Sequence, residues 1–256
     1  MTSKNTDDQP IENLNIKGGA LLIGSLLWQD HLENKKEDNI RKSWRDRHLI
    51  VGHKIMIKAP IRYGRLSNSD IYTMTFSNSV GKSKMGTGYF VPFRQAPIAT
   101  LNDLINQSKE VSVAEGMKGK FIKKTTNGEI WCILGLLINP KTLNTDKAKA
   151  IYKEWKKIID KEGGFNPKDF KQGKEKPCLK PNGKLNFDWP AAFDKRNEDI
   201  LNSYDYIIAT GTKPSKYPKV EELKAKIQAD KTRYYFIENY KSGITTFQDI
   251  EVLNKL

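Results

Sequence analysis

The chain is poor in the residues that carry most metal and thiol chemistry: its 256 residues include two cysteines and three histidines. Two thiols, Cys132 and Cys178, are too few for a disulfide framework or a four-cysteine zinc site. His31, His48 and His53 all fall in the first quarter, and no pair has the i, i+4 spacing of a zinc-binding helix, which argues against a metal hydrolase. Long apolar runs are missing too. The longest, Ile130–Ile138, has nine residues, against the ~20 a bilayer span needs. Met1–Lys17 is polar and mixed in charge, unlike a signal or transit peptide. Nucleotide fingerprints are also absent. Gly81-Lys82-Ser83 lacks the upstream glycine of a phosphate loop, and Gly86-Thr87-Gly88 runs into an aromatic strand rather than a helix. These absences leave a soluble, cytoplasmic globular protein as the expectation.

What the chain has in excess is positive charge. Lys and Arg number 44 against 30 Asp and Glu, a formal net charge of +14. The excess is +7 in residues 1–140 and +7 again in 141–256, with only short concentrations such as Lys118–Lys124 and Lys168–Lys184. A nucleic-acid arm concentrates its charge, so this distribution reads first as a solvated basic surface. Apolar residues at 38% and aromatics at 10% suffice for a core.

Residues 1–17 read as a mobile leader. Ala20–Trp28 starts as a strand that Gly24-Ser25 turns, and Gln29–Arg47 is charged enough to be a helix or a long surface loop. His48–Ile57, Ile71–Ser77 and Thr87–Phe93 carry strand-like patterns, while Pro60 bends or edges the piece after it. Thr100–Glu115 switches to helical period, with Thr100 as N-cap and Asp103 three residues on. Asn127-Gly128 between Phe121–Thr125 and Glu129–Ile138 predicts a hairpin. Lys141–Lys161 is an amphipathic helix, and Gly163–Phe187 is a long exposed connection. Beyond it the pattern predicts helix over Trp189–Ser203, strand over Tyr206–Thr210, helix over Lys219–Ala229, and strand-like pieces at Arg233–Glu238 and Thr245–Gln248. The organisation expected is a leader (1–17), a β-rich α+β unit (18–140) and a basic mixed α/β extension (141–256), either packed on the first unit or standing apart.

Three features bear on chemistry. Gly24-Ser25, directly after a buried strand, can present consecutive backbone N–H groups to an anion or oxyanion. Glu115, between Ala114 and Gly116 at a helix end, is suited to proton transfer if it faces a cavity, with Glu110 as its nearby competitor. Pro60–Ser67 gathers Arg62, Tyr63 and Arg65 around Gly64, a possible anchor for an acidic substrate. Cys132 lies inside an apolar run and reads as a small hydrophobe.

In that order and spacing these features resemble the gamma-glutamylcyclotransferase-like family, closest to its ChaC-like branch. Gly24-Ser25-Leu26-Leu27-Trp28 is similar to the family's Tyr-Gly-Ser-Leu-x-Trp signature, with Ile23 where the aromatic normally stands. Glu115-Gly116, 91 residues after Gly24, resembles the stretch that carries the family's glutamate. The likeness spans about residues 19–140 and implies a small mixed β-barrel with flanking helices. It also implies a reaction, in which the α-amine of a γ-glutamyl amide attacks its own γ-carbonyl to release 5-oxoproline and an amine. Glu115 would be the catalytic acid–base group. Gly24, Ser25 and Leu26 would form the substrate-binding turn, with Arg62 and Tyr63 as further substrate contacts. The mechanism requires no metal or organic cofactor. The alternative is a non-enzymatic protein on the same fold whose basic C-terminal region contacts nucleic acid or an acidic partner. Lys168, Lys171, Lys174 and Lys176 would carry that contact beside Phe165 and Phe170.

Overall fold

Buried at all five positions, β1 (Gly18–Leu22) runs through the interior of a six-stranded mixed sheet. The structure is a computed structural model and describes residues 13–32, 39–67, 70–229 and 231–254. The other strands of the sheet are β2 (Ile55–Ala59), β5 (Gly86–Pro92), β6 (Ile122–Lys124), β7 (Ile130–Ile138) and β8 (Tyr206–Thr212), in the order β2-β5-β1-β8-β7-β6. Every ladder is antiparallel except β1–β8. β8 comes from beyond residue 140, yet it hydrogen-bonds on both sides to strands from before it. Residues on either side of 140 therefore share one sheet and one apolar cluster.

Pro60 breaks the chain after β2, and β3 (Ile61–Leu66) with β4 (Tyr72–Phe76) forms a separate hairpin, bulged between Tyr63 and Arg65. Thr75 ties the hairpin to the sheet, its hydroxyl donating to the Thr212 carbonyl at 3.0 Å. No closed barrel forms among the described residues; the architecture is an α+β fold with an open mixed sheet and flanking helices.

Local sequence explains most elements. α2 (Leu101–Ala114) begins with the reciprocal Thr100–Asp103 capping box that its sequence predicts. The Asn-Gly hairpin joins β6 to β7. α3 (Thr145–Lys161) and α5 (Val220–Gln228) follow their amphipathic patterns. Of the expected leader, residues 1–12 lie outside the described residues, while Leu14 and Ile16 are buried and Ile16 bridges to Ile98. Residues 33–38 of the charged Gln29–Arg47 stretch also lie outside them; the rest yields α1 (Ile40–His48).

Other expectations need correction. His48 ends α1, so the strand expected over His48–Ile57 starts only at Ile55. Arg233–Glu238 belongs to α6 (Lys231–Lys241) rather than to a strand. Thr232, Tyr235, Phe236 and Asn239 are buried at helical spacing while Tyr234 and Tyr240 are exposed, so tertiary burial overrides the β-propensity of Arg-Tyr-Tyr-Phe-Ile-Glu. Thr246 caps α7 (Phe247–Leu253), which ends the second expected strand after Thr245. In Trp189–Ser203 only α4 (Glu198–Asn202) is α-helical. Gly163–Phe187 is not simply exposed: Phe170, Cys178, Leu179 and Leu185 are buried. β6 covers only the first part of β7, and Gly183 and Leu185 take up the backbone groups of Leu136 that β6 leaves open. Among the described residues no helix is long and apolar enough to cross a membrane.

Candidate functional site

The chain leaves β1 in one turn of helix. Leu27 N–H donates to Gly24 O at 3.0 Å, and Trp28 and Gln29 N–H donate to Ser25 O at 3.3 and 2.8 Å. The first N–H groups of a helical turn have no partner within it. Those of Ser25 and Leu26 find no acceptor among the described residues. Trp28 pins the turn to α6, its indole N–H donating to Asn239 Oδ1 at 2.8 Å and its ring meeting Tyr234 edge-on. A Cβ on Gly24 would stand 2.6 Å from the Tyr235 hydroxyl, so that phenol can sit against the turn only because residue 24 has no side chain.

Glu115 is fixed by how α2 ends. It occupies the C-cap, and Gly116 follows at φ +70, a conformation that glycine adopts without strain. Gly116 N–H then donates to Val113 O, and Met117 N–H to Ser112 O, the paired bonds of a Schellman ending. A carboxylate at the negative end of a helix dipole is unfavourably placed. Arg41 offsets this. Its Nε donates to Ala114 O at 3.2 Å and its Nη2 lies 3.5 Å from Glu115 Oε2. Its Nη1 donates to Ser25 Oγ at 3.0 Å and to Gln29 Oε1 at 2.5 Å. One guanidinium thus spans the helix end, the carboxylate and the turn. Glu115 keeps 17% of its side-chain surface open.

Four residues along α1, Arg45 holds the same turn from its far side. Its Nη1 donates to Leu26 O at 2.9 Å and to Gln29 O at 2.8 Å, and it is paired with Asp30. Burial pulls the Arg45 pKa down, and Asp30 opposes that pull. Trp44 is buried between the two arginines on the same helix.

Other charges gather near Glu115. The Trp131 ring carries two cations, the Arg65 guanidinium at 4.0 Å and Lys123 Nζ at 4.3 Å. Burial pushes the Cys132 thiol well up, Glu115 adds to that shift, and Lys123 and Arg65 oppose it. A thiol so held is a poor nucleophile. Burial likewise raises the Tyr235 phenol, whose oxygen accepts from Met74 N–H at 3.3 Å; Arg65 lowers and Glu115 raises its pKa by their charges.

The structure brings Gly24, Ser25, Leu26 and Glu115 together. It does not bring Arg62 or Tyr63 to them. Arg62 stacks 4.1 Å from the Tyr217 ring and donates to Ser79 Oγ. Tyr63 is fully buried toward Asp249 of α7. Burial pushes the Asp249 carboxyl up to about 6, against the hydrogen bond from Thr246 N–H. Arg65, beyond the bulge, is the residue of this loop whose charge acts on the same Cys132 and Tyr235 groups as that of Glu115. Glu110 pairs with His48 at 3.6 Å instead. Phe170 is buried and meets Phe165 edge-on, so its ring belongs to the core rather than to a stacking surface.

Sequence reasoning missed Arg41, Arg45, Lys123, Trp131 and Tyr235. The available signal was Arg41, Trp44 and Arg45 at i, i+3 and i+4 of a helix; arginines on an inward stripe are seldom buried unless paired. No family model, curated protein or solved structure matches this chain.

Proposed function

We propose that the protein is a cytoplasmic cyclotransferase-like enzyme, built on a gamma-glutamylcyclotransferase-like unit whose sheet stays open, that releases 5-oxoproline and an amine from a γ-glutamyl amide. The observation that carries this reading is the convergence of Glu115 with the Gly24–Ser25 turn through Arg41. The substrate's α-amine attacks its γ-carbonyl, closing a five-membered ring as the γ-amide C–N bond breaks. Glu115 accepts the proton that the amine loses and returns it to the departing nitrogen. The Ser25 and Leu26 N–H groups stabilise the oxyanion, and Arg65 supplies positive charge for the α-carboxylate. The reaction is redox-neutral and needs no co-reactant to balance.

Each part has an expected size. A tethered nucleophile replaces a bimolecular encounter, so holding the cyclising conformer does much of the work. An oxyanion donor contributes about 3–4 kcal/mol and a positioned acid–base group about 100- to 10,000-fold. The assay is 5-oxoproline release from a panel of γ-glutamyl amides. The reading expects turnover of substrates with a free α-amine and none of their N-acetylated counterparts, whose nucleophile is blocked. Release of glutamate instead of 5-oxoproline, or no turnover across the panel, overturns it. If no turnover came with salt-sensitive oligonucleotide binding, the non-enzymatic alternative would take its place.

A further inference from the structure

Beside Gly116 lies a half-open cavity of about 530 Å³, between the loop after α2, strand β6 and the end of α3. Five lysines line it: Lys118, Lys120, Lys123, Lys124 and Lys161. None of these ammonium groups forms an ion pair among the described residues. The one acid in the lining, Glu162, is already engaged: its carboxylate accepts from Phe121 N–H at 2.9 Å and from Ile122 N–H at 2.8 Å. It therefore ties α3 to the root of β6, and its single negative charge stands against five positive ones. The loop adds a backbone donor, since Lys118 N–H has no acceptor among the described residues.

Five like charges lining one cavity set up a positive potential that attracts an anion and that a bound anion neutralises. The volume lies in the range of small-ligand sites. Ammonium groups suit phosphate as point charges from several directions. We infer that this cavity binds a small, multiply charged phosphate compound, of the size of an inorganic or nucleoside oligophosphate, beside but distinct from the turn that holds Glu115.

The probe is inorganic tripolyphosphate, titrated calorimetrically into the full chain at several salt concentrations. Binding to one site is expected, weakening steeply with salt. Lys124→Gln/Lys161→Gln weakens it about tenfold or more, whereas the control Lys147→Gln/Lys149→Gln near the start of α3, at the other end of that helix from Lys161, leaves it unchanged. Both pairs are surface lysines, and superimposable melting curves establish that each variant folds. No detectable binding, or equal losses in the two double variants, overturns the inference. A single-stranded oligonucleotide that binds more tightly than tripolyphosphate, and is lost in the first pair alone, also overturns it by making the cavity part of a nucleic-acid surface.

Discussion

Two sets of cations flank Gly116, and they are used in opposite ways. On one side Arg41 and Arg45 are buried, at 8% and 7% exposure, and their donors are taken by carbonyls, by side-chain oxygens and by carboxylates. On the other side the five cavity lysines stand partly or fully in solvent without an ionic partner. The arginines therefore act as internal structure, and the lysines act as an unsatisfied field. Guanidinium chemistry fits this division, because a rigid fork of donors can bridge several acceptors in a dry site while an ammonium remains hydrated. Net charge alone does not distinguish the two uses; only burial does.

Arg41→Ala breaks the comparison most severely. It leaves Glu115, Ala114 O and Ser25 Oγ without their shared donor, so a loss of roughly 3 kcal/mol in a denaturant titration is expected, with 5-oxoproline release abolished. Next is Asp249, which belongs to neither set and marks the Tyr63 side as separate. Its raised carboxyl keeps a proton in the folded chain at pH values where the unfolded chain has released it. That contribution to stability is complete below about pH 4, the ordinary range of the group, and is lost as pH rises to about 6. Asp249→Asn should flatten the stability profile across this window, by up to roughly 3 kcal/mol, with turnover unchanged.

Gly24→Ala tests the close approach of Tyr235. The added methyl meets a phenol oxygen held in the core, and a cost of about 1–3 kcal/mol is expected by thermal melting. In a Tyr235→Phe background the nearest remaining atom is 3.6 Å away, so the same substitution should cost much less. The smallest effect belongs to the lysines. Lys124→Gln/Lys161→Gln should leave stability within about 0.5 kcal/mol of the parent without phosphate, as surface substitutions usually do.

How much of this could be read from sequence depends on how local the cause is. The capping box of α2, the Asn-Gly hairpin and the amphipathic α3 are written within a few residues each, and all three form as their patterns require. The Glu115–Gly116 ending is local too, since one glycine at φ +70 sets the helix terminus. The placement of β8 between β1 and β7 depends on pairing across nearly the whole chain, which no window of sequence carries. Arg233–Glu238 misled because aromatic and β-branched content suggested strand, while its buried stripe follows helical spacing. Arg62 and Tyr63 carry suitable chemistry, but the bulge in β3 separates them from Arg65, whose charge acts on the same groups as that of Glu115, and a bulge leaves little trace in sequence. Arg41 was hidden for another reason, in that its value comes from partners that lie 16 and 74 residues away.

The account's central claim is that Glu115, set against the Gly24–Ser25 turn, moves the proton during ring closure. Glu115→Gln keeps the size of the side chain and the helix ending while removing the base. With any γ-glutamyl amide that the parent protein cyclises, the variant should release 5-oxoproline at least about 100-fold more slowly while still unfolding in a cooperative transition. Turnover equal to the parent's would contradict the claim.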